Sequence, residues 1–445
     1  MMPVPPAQPV QPVPHDVTRL VRDQLHRYSA AVLPFRLDGD HVPPLVHAGT
    51  DEAARQFSQA LKAAQRAGRE HFLLLGAGDG RLSDALVTAL PEQVTLTVLE
   101  PHPARVRSAM EAGRMQWWRE SGRHRLVTDT SSWALLLLLV QAGMTPANTT
   151  MMLHPQLTGK ERAWCRDWQR LFAGVKETAG WQDSEHDSQH DSQQGSQHAG
   201  QRKEAGLRPD APLTLGLIAH PDEPNLAGFF AQIPHWLHEV VVVWDAAEMH
   251  AVPQAARVAA SACAVPVREF ARPLGGNFAA QRNAVLDACS TEWIFFLDGD
   301  ERLSAKGWSA LPALMQSGVG GFAFPRWTRM RSEAECRAGF GLWPDVQLRL
   351  FRKGKETRFE RNVHEVVRNV CGSLGLALTI HIDHYSHLWK DMDMLAQKLR
   401  AFDEAAGRNA MHRLSEEYPA VPCELFGVLE GLCKEDRFLL LPVAT

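Results

Sequence analysis

Apolar residues recur along the chain in short blocks bounded by polar turns. The runs HFLLL (71–75), VTLTVLE (94–100), RLVTD (125–129) and TTMMLHP (149–155) are apolar on consecutive positions, as are LTLGLIA (213–219), EVVVVWD (239–245) and EWIFFLD (292–298). Runs of this length, rich in Val, Leu, Ile and Phe, predict strands buried on both faces. Between them, residues 53–69 and the apolar stretch 133–140 carry helical patterns. Strands that alternate with helices predict parallel sheets covered by helices, so the chain reads as α/β in both halves.

Two stretches interrupt this alternation. Residues 1–16 alternate Pro with Val, Ala and Gln, which predicts an extended, disordered tail. Residues 182–201 are almost entirely Gln, Asp, Ser, His, Gly and Glu, with no apolar anchor, which predicts a solvated linker rather than a metal-binding tract for His186, His190 and His198. The expected organisation is therefore a tail (1–16), a Rossmann-like domain (17–181), a linker (182–212), a second α/β domain (213–405) and a helical C-terminal extension (406–445). A length of 445 residues suits two or three domains.

Composition narrows the function classes. Hydrophobic residues make up 45% and charged residues 22%, ordinary for a globular protein, and the net charge of -4 gives no global attraction to nucleic acid. The seven cysteines are scattered without a C-x-x-C pair, which predicts reduced thiols in a cytoplasmic protein. No secretory signal opens the chain, and the longest apolar runs, 134–140 and 438–443, are far short of the ~18 residues that span a bilayer. A soluble protein is expected, with at most a peripheral contact at the inner face of the membrane.

Candidate chemistry concentrates in 277–301, NFAAQRNAVLDACSTEWIFFLDGDE. Phe278, Val285 and Cys289 share a helical face with Arg282, a cation that either reaches a carboxylate or anion or snorkels to solvent. The apolar strand that follows ends in Asp298-Gly299-Asp300-Glu301. Ligands of open α/β sheets sit at carboxyl ends of strands, and two carboxylates one residue apart can share a hard divalent cation; an acid-capped Asp-Gly turn is the plainer alternative. Residues 325–361 hold ten Lys or Arg against five Asp or Glu. Within them Gln347, Arg349 and Arg352 alternate with apolar neighbours, suggesting a strand edge that offers guanidinium forks to phosphate, against a solvated basic face. Trp327, Trp343 and Trp389 are candidates for stacking on sugar rings or for core packing.

The blocks LTLGLIAHPDEPNL, HEVVVVWD, NFAAQRNAVLDA, FFLDGDE, GFAFPRW, WPDVQLRLFRKG, RFERNVHEVV and HIDHYSHLWKDMDMLAQKLRAF follow one another across 213–405. This series resembles the family-2 glycosyltransferases of GT-A fold, closest to the branch of bacterial lipopolysaccharide-core glucosyltransferases. The resemblance implies an inverting hexosyl transfer from a nucleotide-diphosphate sugar, usually UDP-linked, with Mg²⁺ or Mn²⁺, to a glycan, lipid-linked or protein acceptor; the net charge of -4 adds the expectation of no nucleic-acid partner. It implies roles for single residues: Asp298 and Asp300 at metal and diphosphate, His364 as third metal ligand with His384 and His387 as rivals, and Asp245 and Glu223 near the nucleoside. Arg282 and Arg349 would assist the donor. Asp345, in Trp343-Pro344-Asp345, would be the general base, with Glu365 next. The sequence departs from the family at His220-Pro221-Asp222-Glu223 and at Ala246-Ala247-Glu248-Met249.

In the first half, Gly76-Ala77-Gly78-Asp79-Gly80 joins a strand to a helix, and Glu100 ends the next strand. Glycines there permit close approach of a ligand to a helix N-terminus, and an acid at that place commonly accepts from ribose hydroxyls. The pattern is similar to class I methyltransferases, which implies S-adenosylmethionine at Gly76, Gly78, Gly80 and Glu100, and a second activity beside the sugar transfer. No acidic or Asn-Pro-Pro signature follows the fourth strand, so a Rossmann-like domain kept for packing or acceptor docking stands beside it. A non-catalytic nucleotide- or glycan-binding protein is the remaining alternative for the whole chain.

Overall fold

A computed structural model describes residues 15–36, 42, 44–46, 49–65, 69–120, 122–178, 211–390, 393, 395, 396, 400, 418–433 and 438–441. The expected tail (1–16) lies almost wholly outside the described residues, and the expected linker (182–212) does so but for 211 and 212. The chain divides into two compact units, residues 1–169 with 425–429, and residues 170–424 with 430–445.

In the first unit the helices α1 (His15–Val32) and α2 (Thr50–Ala64) precede β1 (His71–Leu75), α3 (Arg81–Ala89), β2 (Thr95–Glu100), α4 (Pro103–Glu111), β3 (Arg125–Thr128), α5 (Ser132–Gln141), β4 (Thr149–Leu153) and α6 (Gly159–Gly174). The four strands form one parallel sheet in the order β3-β2-β1-β4. All four coincide with the apolar runs read from sequence. Helix α5 is apolar all round and buries Leu135 to Leu139 completely, as expected of a helix with no solvent face. Ser131 caps it, its hydroxyl accepting from the Ala134 amide at 3.3 Å.

The second unit begins with β5 (Lys176–Thr178), then β6 (Leu213–Ala219), α7 (Leu226–Ala231), β7 (Glu239–Trp244), α8 (Gln254–Ser261), β8 (Val267–Ala271), α9 (Phe278–Ala288) and β9 (Trp293–Phe296). There follow β10 (Glu301–Leu303), α10 (Ala305–Gln316), β11 (Gly321–Phe324), β12 (Arg326–Met330), β13 (Ser332–Arg337), β14 (Gln347–Arg352), β15 (Arg358–Glu360) and β16 (Val366–Arg368). The chain closes with β17 (Leu374–Ala377), β18 (Ile382–His384), α11 (Ser386–Trp389), β19 (Ala420–Pro422), α12 (Cys423–Leu432), whose residues 425–429 belong to the first unit, and β20 (Phe438–Leu440).

Its main sheet has nine strands in the order β5-β20-β17-β11-β14-β9-β6-β7-β8. Strands β6, β7, β8 and β9 run parallel, while β14 enters antiparallel between β9 and β11. The chain winds outward from β6 through β7 to β8 and returns on the other side at β9. The sheet therefore has its topological switch point between β6 and β9, where a crevice opens at the carboxyl ends. A smaller sheet, β10-β18-β12-β13-β19, and the β15-β16 ribbon complete the unit.

Three expectations need correction. The C-terminal extension is not purely helical: its described residues contain β19 and β20 as well as α12, and β20 joins the main sheet beside β17. The apolar Phe438-Leu439-Leu440 run explains this, since Phe438 and Leu439 are fully buried and Phe438 meets the edge of Phe322 at 5.1 Å. The arginine-bearing strand β14 is a central strand rather than an edge. Finally, Cys336 and Cys423 form a disulfide across 87 residues, with Cα atoms 5.4 Å apart, because β13 and β19 pair alongside them. This pair is therefore not the reduced thiols expected of a reducing compartment.

Helix α9 lies close against β6, and a glycine makes this possible. A Cβ at Gly216 would come within 2.8 Å of both Val285 and Phe296. Gly216→Ala should therefore lower the stability of the chain by about 1–3 kcal/mol in urea unfolding, through overpacking beneath α9. An unchanged midpoint would show that the helix stands off the sheet.

Candidate active site at the switch point

The crevice is built from the turn after β9. Asp298-Gly299-Asp300-Glu301 closes tightly, the Glu301 amide donating to the Asp298 carbonyl at 2.9 Å while the Glu301 carboxylate accepts from the Asp298 amide at 2.9 Å. The acid-capped turn is thus present, and the carboxylates it carries are drawn into a buried ionic lattice.

Asp298 is the hub. One oxygen accepts from Arg282 at 2.9 Å and the other from Arg349 at 2.9 Å. Arg282 lies on the buried face of α9, 6% exposed, and its second partner is Glu365 at 2.5 Å. The cation on the core stripe therefore meets carboxylates instead of snorkelling to solvent. It also sits over the rings of Phe296 and Phe359, at 5.4 and 5.8 Å from their centroids. Arg349, on β14, donates to Glu301 at 2.7 Å, and Glu301 in turn accepts from Arg326 at 3.1 Å. Arg326 grips Asp345 through two of its nitrogens, and Gln347 donates to the other Asp345 oxygen at 2.8 Å. One chain of charges thus runs Glu365–Arg282–Asp298–Arg349–Glu301–Arg326–Asp345.

These neighbours set the protonation states. Burial on its own would raise the Asp298 carboxyl, but the Arg282 and Arg349 charges outweigh it and hold the group far below the usual carboxylate range. Burial would likewise raise Asp345, and Arg326 with Gln347 brings it below its ordinary value. Both are firmly ionised at neutral pH.

A second group stands beside the first. Glu223, after β6, lies over Gly299, where an added Cβ would fall 2.7 Å from its Cγ. Lys390 places its ammonium 2.6 Å from Glu223 and 2.7 Å from Asp300. The imidazole beside Asp300 is that of His384, with Nε2 3.7 Å from Oδ1. At the end of β7, Asp245 accepts from the Leu274 amide at 2.8 Å. The geometry therefore collects Glu223, Asp298, Asp300, Arg282 and Arg349 at the switch point, with Asp245 on the neighbouring strand end and Asp345 at the far end of the ionic chain.

The expected metal triad is not assembled. His364 is exposed on the turn between β15 and β16. Both Asp298 oxygens accept from guanidinium groups, and Asp300 is paired with Lys390. Among the described residues no three His, Cys, Asp or Glu side chains gather in a way that could hold a metal ion. The donor set present here does not fit a divalent cation.

Arg352 points to solvent, and Trp327 and Trp343 are buried, Trp327 against the face of His381. Of the three tryptophans singled out, only Trp389 keeps partial exposure, stacked on Tyr385 at 4.5 Å with Arg302 4.6 Å over its ring. Lys390, Arg302 and Arg326 escaped the sequence reading as site residues. Glu301 was legible as a third acid behind a buried strand; Lys390 carried no local signal.

The glycine loop of the first unit is filled by the protein itself. A Cβ at Gly78 would lie 2.1 Å from His154, and the Gln156 side chain accepts from the Asp79 amide at 2.9 Å. Glu100 is fully buried, accepting from the Ala77 amide at 2.7 Å and the His102 amide at 2.9 Å. Arg105 joins it to Glu161, 3.7 Å from the one and 2.8 Å from the other. The acid expected to meet a ribose instead pins its own loop. The cavity beside Gly78, about 290 Å³, is at the small end for a ligand site. S-Adenosylmethionine gains no support from this arrangement.

No protein-family model matches the chain. A TPR repeat-containing protein of Synechococcus elongatus is 35% identical over 92 residues, which cover 20% of this chain and 21% of that protein. The chain thus spans about a fifth of that relative's length. Among solved structures, S. aureus TarS 1-349 with UDP-GlcNAc aligns with a TM-score of 0.21 and 16% identity, covering 27% of this chain and 34% of that one. TarS 1-349 with UDP gives 0.28 and 13%, covering 46% and 67%. GalNAc-T7 with UDP, GalNAc and Mn²⁺ gives 0.27 and 7%, covering 44% and 48%. Likenesses this slight carry no argument, and the site is read from its own geometry. No helix among the described residues is long and apolar enough to cross a membrane.

Burial pushes Glu100 up to about 7, against the amide of Ala77 and the charge of Arg105, which act to lower it. The folded chain then keeps a proton that the unfolded chain releases near 4.5, so this group's contribution to stability is present below about 4.5 and lost as pH rises through about 7. Glu100→Gln should remove on the order of 3 kcal/mol of that pH dependence, measured by urea unfolding from pH 4.5 to 7.5. Equal slopes in both proteins would place Glu100 in water.

Proposed function

We propose that the chain is a glycosyltransferase of family-2 type and GT-A fold, moving a hexose from a UDP-linked donor to a hydroxyl of a glycan, lipid-linked or protein acceptor with inversion. The observation that carries this is the position of the acidic turn: Asp298 and Asp300 stand at the carboxyl ends of β6 and β9, where the strand order reverses, with Asp245 on the adjacent strand end. A switch-point crevice that sets the Lys390 ammonium beside ionised carboxylates suits a ligand with both hydroxyls and a diphosphate. The ordered blocks across 213–405 agree with it.

On this reading Asp245 and Glu223 face the nucleoside, and the sugar lies between the Asp298 turn and Asp345. The acceptor oxygen attacks the anomeric carbon as the bond to the diphosphate breaks. The hydroxyl proton passes to a carboxylate, and UDP leaves. Asp345 is the proposed acceptor of that proton. Arg326 keeps it ionised and weakly basic, so the proton moves only once the new glycosidic bond has made the acceptor oxygen acidic. Arg282 and Arg349 hold the turn in place through Asp298 and Glu301. No step runs through a metal ion, since the donor set does not fit one.

The test is calorimetry and turnover with a panel of UDP-hexoses. Binding should be seen together with slow UDP release, and Asp345→Asn should lower turnover by about 10²-fold or more while the donor Kd stays nearly constant. Donor binding without turnover in the presence of acceptor extracts would make the chain a nucleotide-sugar binder. Absence of binding by every UDP-hexose at millimolar concentration would overturn the reading.

A further inference from the structure

The pair of carboxylates best placed to receive a cation already holds one. Lys390 is 9% exposed, and its ammonium bridges Asp300 at 2.7 Å and Glu223 at 2.6 Å, residues that approach from the ends of two different strands at the switch point. An ammonium held within 3 Å of two carboxylate oxygens occupies the space a dehydrated divalent ion would take between them. Glu223 is pressed onto Gly299, so the pair cannot open on that side without moving the turn. The other two acids of the turn are committed to arginines, Asp298 through both oxygens to Arg282 and Arg349, and Glu301 to Arg349 and Arg326.

Charge matches geometry. Arg302 donates to the carbonyl oxygens of Gly299, Glu301 and Asn225, and feels the charges of both Asp300 and Glu223. Burial lowers it to about 10, which leaves it cationic at neutral pH. Lys390 and Arg302 therefore set two positive charges against the two carboxylates, the same charge a divalent ion would supply.

We infer that Lys390 is the resident cation of the crevice, taking the place of a divalent metal between Asp300 and Glu223, so that the site neither binds nor needs one. The binding claim stands on this geometry alone; only its consequence for turnover rests on the proposed function.

Titration of the full-length chain with Mn²⁺, followed by electron paramagnetic resonance of the free ion, tests it. Wild type should leave millimolar Mn²⁺ free. Lys390→Met, which exposes two carboxylates to the ion, should bind Mn²⁺ at least about tenfold more tightly than wild type, since an unpaired buried carboxylate pair strongly favours a replacement cation. Lys390→Arg keeps the charge and should behave as wild type. Far-UV circular dichroism checks that each variant is folded; should Lys390→Met fail to fold, the wild-type titration still decides. Binding of Mn²⁺ by wild type as tight as that of Lys390→Met, or tight binding by wild type alone, overturns the inference. In parallel, UDP release from a UDP-hexose by wild type should be unchanged by EDTA. Loss of that activity on chelation counts against Lys390, whereas absence of donor binding in every sample counts against the transferase reading and leaves the Mn²⁺ result intact.

Discussion

The ionic contact of Asp298 with two buried guanidinium groups is the constraint around which the second unit is arranged. Asp298 keeps partial exposure while both arginines are buried, so removing its carboxylate takes a partner from two buried cations, a loss that in buried pairs typically costs about 3–5 kcal/mol. Arg282 arrives from α9 and Arg349 from the antiparallel strand β14, so the pair ties the helix layer to the sheet at the carboxyl end of β9. The close approach of α9 over Gly216 brings Arg282 within reach, and the central position of β14 does the same for Arg349.

This lattice divides the acids of the crevice by task. Asp298, Glu301 and Glu365 are held by arginines and fix the shape of the turn. Asp300 and Glu223 share an ammonium, which can shift along its flexible stem more readily than a guanidinium fork can rotate. Asp345 is ionised at the end of the chain, where Arg326 restrains its basicity. A network in which nearly every member is paired is rigid, and rigidity at a strand end suits the proposed transfer, which needs its donor held in one orientation.

Much of the framework was legible in the sequence because the strands are apolar on both faces. HFLLL, LTLGLIA and the run ending in Phe296 became central strands where expected, and the acidic turn fell at the sheet's carboxyl edge. Arg282 announced itself as a cation on a core stripe. What could not be read depended on distant pairings. Lys390 lies 90 residues from Asp300, and nothing in His387-Leu388-Trp389-Lys390 marks it as a crevice cation. The same holds for Arg326 with Asp345, and for Cys336 with Cys423, which only the β13-β19 pairing brings together. The glycine loop misled for a different reason: close backbone approach was required, but by His154 and Gln156 rather than by a ligand. Of the histidines weighed as a third ligand, His364 is exposed, while its rival His384 stands beside Asp300.

The most direct measurement is a crystal structure of the full-length chain with a bound UDP-hexose. The account predicts the diphosphate in the crevice bounded by Asp245, Glu223 and Lys390, with Asp298 still bridging Arg282 and Arg349. A donor bound elsewhere, or an Asp298 carboxylate turned away from both arginines toward the ligand, would contradict it.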